Sequence, residues 1–440
     1  MIDIITNPVM ISVVVMVTLC LLKCNVYFAV VISGLCCAVL GGLSIVDGIV
    51  LFYQGMDGNI KSMFTRLCLG MVAITLTRTG VGEVLAPRIT KVIGKNVWIL
   101  IIGLGILGTM AETVILLASV FVTIVVPPLL PIFNKYNVDR RKAAIIVMCG
   151  LQMGYMCVPS GYGIVFQETV QTEMINNGYD IPLNFIWKAN IPAAIALLVS
   201  IAVALFIFRK PRTYVPVEGV TAMSELTPQD GELPKMEWKH IGALISACVS
   251  VIVQLVTGSI QFGALCAVIS IVVLRVVQWK DFDEYFTAGL LKMAYVTFII
   301  MAGCGFANVS RNVGRIDSLV NAVASLLGNS KPVAALAMLL LGLVVTIGIG
   351  SAFGTVPIVA AVLVPLGARM GFSPAAIILL ISIAAALGDA GSPASDQTLM
   401  CTAAFNMDGQ HDHIWDSCVP SFLIVTGSYL IVGTIAACII

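Results

Sequence analysis

Charged side chains are the scarcest component of this 440-residue sequence: Asp, Glu, Lys and Arg make up 11%, and three histidines accompany them. A soluble domain carries about 25% charge. With 59% hydrophobic residues, the chain has more apolar surface than a water-soluble fold of this length could cover, and a polytopic membrane protein is the class that remains. The net charge of +1 and the lack of basic blocks leave nothing to grip nucleic acid. No Walker motif is present, which argues against ATP-driven pumping. The short alternating segments of a membrane β-barrel are missing too.

Metal-type cysteine spacing is also lacking. Thirteen cysteines occur, with no CxxC and no Cys/His pattern suited to zinc. Cys20, Cys36, Cys37, Cys68, Cys149, Cys248, Cys266, Cys304 and Cys438 fall in apolar runs, where Cys packs as a small hydrophobe. Neither disulfides nor a cofactor is expected. The first apolar run, from Pro8 to Leu22, has no basic region before it and no small-residue cleavage site after it. A retained helix is expected there rather than a signal peptide.

Long apolar runs are what the sequence does contain. Expected spans are Val9–Leu22, Val26–Val46, Arg66–Leu85, Val97–Phe133, Ala143–Phe166, Phe185–Phe208, Ile241–Val256, Phe262–Val277, Leu290–Val309, Val333–Ile349, Ala352–Leu366, Ala375–Leu387, Ala390–Phe405 and Ser417–Ile440. Val97–Phe133 is too long for one span, and the polar stretch Gly108–Thr113 predicts two helical pieces meeting at a break. Arg209–Lys239 is the only extended hydrophilic stretch and reads as a cytoplasmic linker, leaving transmembrane repeats at 1–208 and 240–440.

The halves look related. Arg78-Thr-Gly-Val-Gly82 resembles Arg311-Asn-Val-Gly314, and Ile93–Asn96 resembles Leu327–Ser330. Ala143-Ala-Ile-Ile precedes Val158–Gly161 as Ala375-Ala-Ile-Ile precedes Ser392–Ser395. The separations are about 232 to 234 residues, in the same order. Basic residues mark cytoplasmic loops. The groups Arg88, Lys91, Lys95; Lys135, Arg140, Arg141, Lys142; and Arg209, Lys210, Arg212 are therefore placed inside. The stretch Glu168–Asn184 lacks Lys and Arg and is placed outside. Gly367–Ser373, the counterpart of Lys135–Lys142, has a single Arg and is also expected outside. The resulting fold expectation is an all-α polytopic membrane protein with roughly 10–14 membrane segments, built as two inverted-topology repeats with discontinuous helices or re-entrant hairpins.

Asp389 and Asp396 sit in a segment that otherwise reads as a membrane helix, and Gly391 and Pro393 interrupt it. Charge at bilayer depth costs roughly 2.5–3.5 kcal/mol on insertion scales, so a chain keeps it there for a reason. Carboxylates, hydroxyls and freed carbonyls at a helix break suit Na+, and a dry carboxylate can take a proton instead. Asp389 and Asp396 are the expected cation ligands, with hydroxyls from Ser392, Ser395 and Thr398. Glu112 and Thr113 in one half, and Ser351 and Thr355 at the matching place in the other, are further candidates. Gln152 and Ser160 beside the Val158–Gly161 break, and Asn308 after an apolar run, complete the binding set. Arg78 and Arg311 either bind a solute carboxylate or mark helix ends. His411, Asp412 and His413 are candidates for a gating or access loop; a loop that only holds the last helix is the alternative.

Leu387–Leu399, followed by Asp408–Pro420, resembles the signature of the NhaC-like Na+/H+ antiporter family of the ion transporter superfamily, near its amino-acid (histidine) permease branch. The resemblance implies inverted repeats with paired re-entrant hairpins, homodimers, and elevator-like coupling of a solute to Na+ or H+. It puts Asp389, Ser392, Pro393, Ser395 and Asp396 at the binding region. After Thr398 the chain has Leu399-Met-Cys-Thr-Ala-Ala-Phe where small polar residues are commoner. The expected function is a cation-coupled secondary transporter of a small solute such as an amino acid, in a bacterial inner membrane. Na+/H+ antiport without an organic substrate is the alternative. An ion channel would show a continuous polar stripe instead of polar clusters at breaks. Intramembrane aspartyl catalysis takes its acids from two helices, whereas Asp389 and Asp396 share one segment.

Overall fold

The computed structural model describes residues 2–57, 60–81, 84–85, 88, 97–113, 122, 125–215, 234–328 and 330–440. Within these residues the chain is helical. The first half contributes α1 (Pro8–Leu21), α2 (Val26–Leu40), α3 (Ile45–Asp57), α4 (Ile60–Arg78), α5 (Val97–Thr113), α6 (Arg140–Cys157), α7 (Tyr162–Asn176) and α8 (Leu183–Ile207). The second contributes α9 (Trp238–Thr257), α10 (Ile260–Val273), α11 (Phe282–Asn312), α12 (Ile316–Leu327), α13 (Lys331–Ile349), α14 (Ala352–Arg369), α15 (Pro374–Ala386), α16 (Asp396–Phe405) and α17 (His413–Ile439). Among the described residues, α8, α13, α14 and α17 are each long and apolar enough to cross a bilayer, and α6 with α7 forms a fifth candidate bent by 52°. Shorter apolar helices, α1, α2 and α15 among them, fill in around these.

Local chemistry sets the helix starts. Asn7 accepts from the Val9 N–H with Pro8 at the first helical position, and Asn25, Asp139 and Ser373 cap α2, α6 and α15 in the same way. The 31-residue α11 is the axis on which α2, α3, α4 and α14 pack. Glycines let these backbones close in. A Cβ on Gly289 would lie 2.7 Å from the Met71 backbone, and one on Gly305 would lie 2.8 Å from the Phe52 ring. Such small-residue contacts replace the hydrophobic effect as the packing force inside lipid. The last helix widens twice into π turns, at His413–Cys418 and Phe422–Thr426.

A shared bonding pattern links the halves. Thr109 Oγ1 donates to Gly105 O within α5 and to Gly150 O on α6, both at 3.1 Å. Thr346 Oγ1 donates to Gly342 O within α13 and to Ala384 O on α15, at 2.7 and 2.8 Å.

The structure departs from the sequence expectations at several places. Gly108–Thr113 is not a break: α5 runs through it to Thr113, and residues 114–121 lie outside the described set. The Val26–Val46 span stops at Leu40, where Gly42 turns the chain at φ 88°. The stretch placed outside as an acidic loop is largely α7, with Glu173 fully buried and paired to Arg311 at 3.0 Å. Arg311, in the last turn of α11, and Arg78, the last residue of α4, do mark helix ends, each engaged by an acid. Arg78 pairs with exposed Glu284 at 2.7 Å. The short helices α3 and α12, whose first turns carry Asp47 and Asp317, were not expected. Gly82, Lys91, Ile93–Asn96 and Asn329 lie outside the described residues, as do linker residues 216–233.

Among the described residues, Arg140, Arg141 and Arg212, all placed inside, lie together around Tyr214 and Asp416. Arg140 is fully buried, with both Nη atoms on the Asp408 carboxylate and Nη1 also on Phe405 O at 3.0 Å. Burial opposes ionisation of Asp408, but the Arg140 hydrogen bonds prevail and hold its carboxyl below the usual range. Arg141 pairs with Asp139 and Arg212 with Asp416, so the start of the linker is tied to the first turn of α17. Removing one member of a buried pair strands the other, at about 3–5 kcal/mol. Arg140→Leu should therefore lower the melting temperature of the solubilised protein sharply. Arg140→Leu/Asp408→Leu should recover much of the loss, and a single variant that melts like wild type would refute the account.

Candidate functional site

Two interruptions in the helices build the site. Between α6 and α7, Val158 turns extended, Pro159 withholds an N–H, and Gly161 takes φ 59°. Between α15 and α16, the chain unwinds from Leu387 to Ser395. Ser392 Oγ donates to Ile347 O at 3.2 Å, and Thr398 Oγ1 donates to Ser392 O at 2.6 Å, which fixes the unwound loop. The glycines of this loop mark close approaches. A Cβ on Gly388 would meet Ile347 N at 2.7 Å, and one on Gly391 would meet Phe422 at 2.7 Å. Gly350, at φ 70° between α13 and α14, abuts Ala394 O.

Asp389 lies inside this junction with 4% of its surface exposed. Ser395 Oγ donates to its Oδ1 at 2.7 Å, and Tyr155 OH donates to its Oδ2 at 3.3 Å. The Ala352 N–H, at the start of α14, also faces the carboxylate. One acid thus collects donors from α6, the α14 N-terminus and the α16 cap. Glu112, also buried, packs its Cβ over Gly154 on α6, near enough to Asp389 for the two charges to interact. Among the described residues neither acid takes part in an ion pair. The rings of Tyr155, Phe166 and Phe353 meet one another tilted or edge-on, with centroids 5.0–5.7 Å apart, beside the Tyr155–Asp389 contact.

The other predicted residues divide into three groups. Gln152 is buried at the junction: its Nε2 donates to Ala386 O, and its Oε1 accepts from Tyr429 OH at 2.9 Å. Ser160 donates to Thr113 O, tying the first break to α5. Thr113 and Thr355 spend their hydroxyls on carbonyls four residues back in their own helices, and Ser351 is the N-cap of α14 without a side-chain cap bond. Asn308 is elsewhere, donating to Leu51 O between α11 and α3. Asp396 is more open than Asp389 and stands as the first residue of α16, where a carboxylate favours the helix N-terminus. Its charge still acts on Asp389, which places it at the rim.

His411 and His413 do not hang free. His413 Nε2 meets the Pro393 carbonyl at 3.0 Å, and its Nδ1 meets Thr402 Oγ1 at 2.7 Å. Thr402 donates to Ser417, whose Oγ lies 2.8 Å from His411 Nε2. The loop is thereby bonded to the unwound segment, while Asp412 caps the first turn of α17 by accepting from Trp415 N.

Sequence reading missed Tyr155, Tyr429, Glu173 and Arg66. The tyrosines had a signal, since a polar-tipped ring inside an apolar helix needs a partner. Arg66 is buried on α4; Nη2 reaches Thr169 Oγ1 at 3.4 Å, Nε and Nη1 have no hydrogen-bond partner, and Glu168 supplies opposing charge. Among the described residues the Asp389 carboxylate has no ion-pair partner, and burying a bare carboxylate is costly. Among the described residues no three His, Cys, Asp or Glu side chains are placed to hold a metal, so a cation would draw further ligands from backbone and hydroxyl oxygen.

A family model described as Na+/H+ antiporter family matches residues 146–435, and a second, described as Na+-H+ antiporter family, matches residues 7–93. An uncharacterized membrane protein of Haemophilus influenzae is 37% identical over 98% of this chain and 99% of its own length. One from Vibrio parahaemolyticus is 36% identical over 99% of this chain and 100% of its own. A Bacillus subtilis protein named "Putative amino acid transporter YuiF" is 36% identical over 99% and 100%. Among solved structures, Neisseria gonorrhoeae MtrF, described within a class of antimetabolite efflux pumps, superposes with a TM-score of 0.64 at 14% identity, covering 90% of this chain and 83% of that one. The Alcanivorax borkumensis YdaH transporter gives 0.60 at 13% identity, covering 88% of each. These two share the fold.

Two predictions follow the local geometry. Alanine at Gly350 meets both a left-handed φ and the Ala394 carbonyl 2.9 Å from its Cβ, whereas Gly314, at φ 69°, faces open space. Left-handed strain alone costs about 1–2 kcal/mol, so Gly350→Ala should melt well below Gly314→Ala in a thermal unfolding series. Burial pushes His411 below its ordinary value. The unfolded chain therefore binds the extra proton first, as pH falls below about 6.5, and stability is lost from that point downward. His411→Gln should flatten the fall in melting temperature between about pH 7.5 and 5, and an unchanged slope would count against this assignment.

Proposed function

The chain belongs to the Na+/H+ antiporter family, a multi-pass membrane transporter rather than an enzyme, and from that premise we propose that it is a secondary transporter driven by Na+ or H+ that moves a small solute such as an amino acid by alternating access. The observation that carries this reading is the buried Asp389, held where the α15–α16 break of one half meets Tyr155 and Glu112 of the other. In this reading the halves at 1–208 and 240–440 are inverted repeats, supported by the Thr109 and Thr346 bonds that recur at matching places. The α6–α7 and α15–α16 segments are then the paired re-entrant elements, as in other transporters of this construction.

Loading of the Asp389 carboxylate by a cation or proton removes the cost of moving a bare charge through protein, so only the loaded state crosses readily. Asp396 at the rim draws cations toward the junction. Arg66, with donors uncommitted, is the group we assign to a solute carboxylate, in place of Arg78 and Arg311, which are engaged by acids. Ser395 orients Asp389, while Ser392 and Thr398 hold the loop. A homodimer in a bacterial inner membrane completes the reading. The YuiF name favours an organic solute; antiport without one is the second reading, favoured by the family description.

Asp389→Asn in proteoliposomes should abolish Na+- or pH-driven flux while the protein still elutes as a folded peak, and wild-type flux in that variant would sink the assignment. The two readings part in a competition experiment. In a plain antiporter, protons displace Na+ and amino acids change nothing; in a symporter, the right amino acid tightens Na+ binding by about 5- to 150-fold.

A further inference from the structure

Two cavities lie on the same helices, away from Asp389. One, of about 170 Å³, is enclosed by α1, α12, α13 and α14 and lined wholly by hydrophobic side chains, among them Val13, Val323, Met338 and Val362. The other, of about 450 Å³, is a polar cleft bordered by Asn321, Ser325, Lys331 and Arg369. Their order along the helices is informative. On α14 the apolar cavity uses Ile358 to Leu366, and the cleft begins at Arg369, less than one turn later. On α13 the cleft uses Lys331, the first residue of the helix, while the cavity starts at Ala337. The cleft is therefore at the ends of α13 and α14, and the cavity lies deeper along the same two helices, with α12 bordering both spaces from different faces. Eight residues from Leu366 back to Ile358 span about 12 Å of depth.

The cleft carries two cations and no carboxylate among its lining. Neither Lys331 nor Arg369 joins an ion pair among the described residues. The amphipathic α12 spans both spaces, giving Leu319 and Val323 to the cavity and Asn321 and Ser325 to the cleft. A soluble anion would use the cleft and leave the cavity idle. A neutral lipid would use the cavity and leave the charges idle. The pair fits a molecule that is anionic at one end and apolar at the other.

We propose that this is a binding site for an anionic phospholipid, its phosphate between Lys331 and Arg369 with Ser325 and Asn321 donating, and part of an acyl chain in the cavity. Basic clefts between membrane helices attract such headgroups. The site lies on α14, whose opposite end presents the Ala352 N–H to Asp389. A bound lipid would thus brace the far end of the helix that helps hold the transport carboxylate.

The test uses the purified full-length protein in detergent, titrated with phosphatidylglycerol, phosphatidylcholine, glycerol phosphate and inorganic phosphate. Native mass spectrometry and melting temperature are the readouts. Phosphatidylglycerol should be retained about tenfold more tightly than phosphatidylcholine, with neither small phosphate raising the melting temperature. Lys331→Gln/Arg369→Gln should erase the preference between lipids. Val362→Phe, which fills the cavity, should weaken retention of phosphatidylglycerol with the cleft charges intact. Equal retention of the two lipids, or a preference that survives loss of both cations, overturns the proposal. A full response to inorganic phosphate also overturns it, by assigning the cleft to a soluble anion. Should a variant aggregate, the wild-type comparison of the two lipids decides. These outcomes are independent of Asp389, so transport can fail while the lipid site stands.

Discussion

A carboxylate held in dry protein with no positive neighbour is the constraint around which this molecule is arranged. Asp389 has donors on both oxygens but no counter-charge among the described residues. Neutral donors soften the cost of burying charge without cancelling it. In the proposed reading, a cation or a proton supplies the missing charge. The flanking architecture keeps the carboxylate in that position. Gly388, Gly391 and Pro393 keep the backbone unwound, Gly350 lets the α13–α14 turn press against it, and Tyr155 reaches in from the other half.

The chain deals with its other buried charges differently. Arg140 with Asp408 and Arg311 with Glu173 are matched pairs that fix elements to one another. Both join distant parts of the sequence, and the first anchors α6 beside the loop that follows α16. Matched charge is used as fastening, and unmatched charge is kept for the junction. Arg66 is likewise buried with hydrogen-bond donors to spare, but Glu168 supplies opposing charge to it.

Much of this was legible in sequence because lipid enforces a severe grammar. An acid between apolar runs and a Gly-Ser-Pro interruption had few structural explanations, and Asp389 is where that logic led. The same grammar located most helices and grouped Arg140, Arg141 and Arg212 together. It failed where partners are remote in sequence. Glu173 looked like part of an exposed acidic loop because its partner, Arg311, lies 138 residues away. Asp396 looked equivalent to Asp389 because spacing alone does not say which side of an unwound loop faces inward. Gly108–Thr113 looked like a break because polar residues accumulate there. Yet Thr109 and Thr113 bond back to their own helix and leave it intact.

The two π turns of the last helix carry a consequence for how this chain can vary. Each wide turn accommodates roughly one more residue than an α turn, and such bulges are frequent at functional sites. Downstream of them Tyr429 meets Gln152, and within the second Thr426 meets the Leu387 carbonyl. Deleting a single residue from 413–418 removes what the wide turn absorbs, so an ordinary α turn closes there and the register beyond it is kept. The wide turns are consequently where the final helix takes up a change of length while Thr426 and Tyr429 keep their partners.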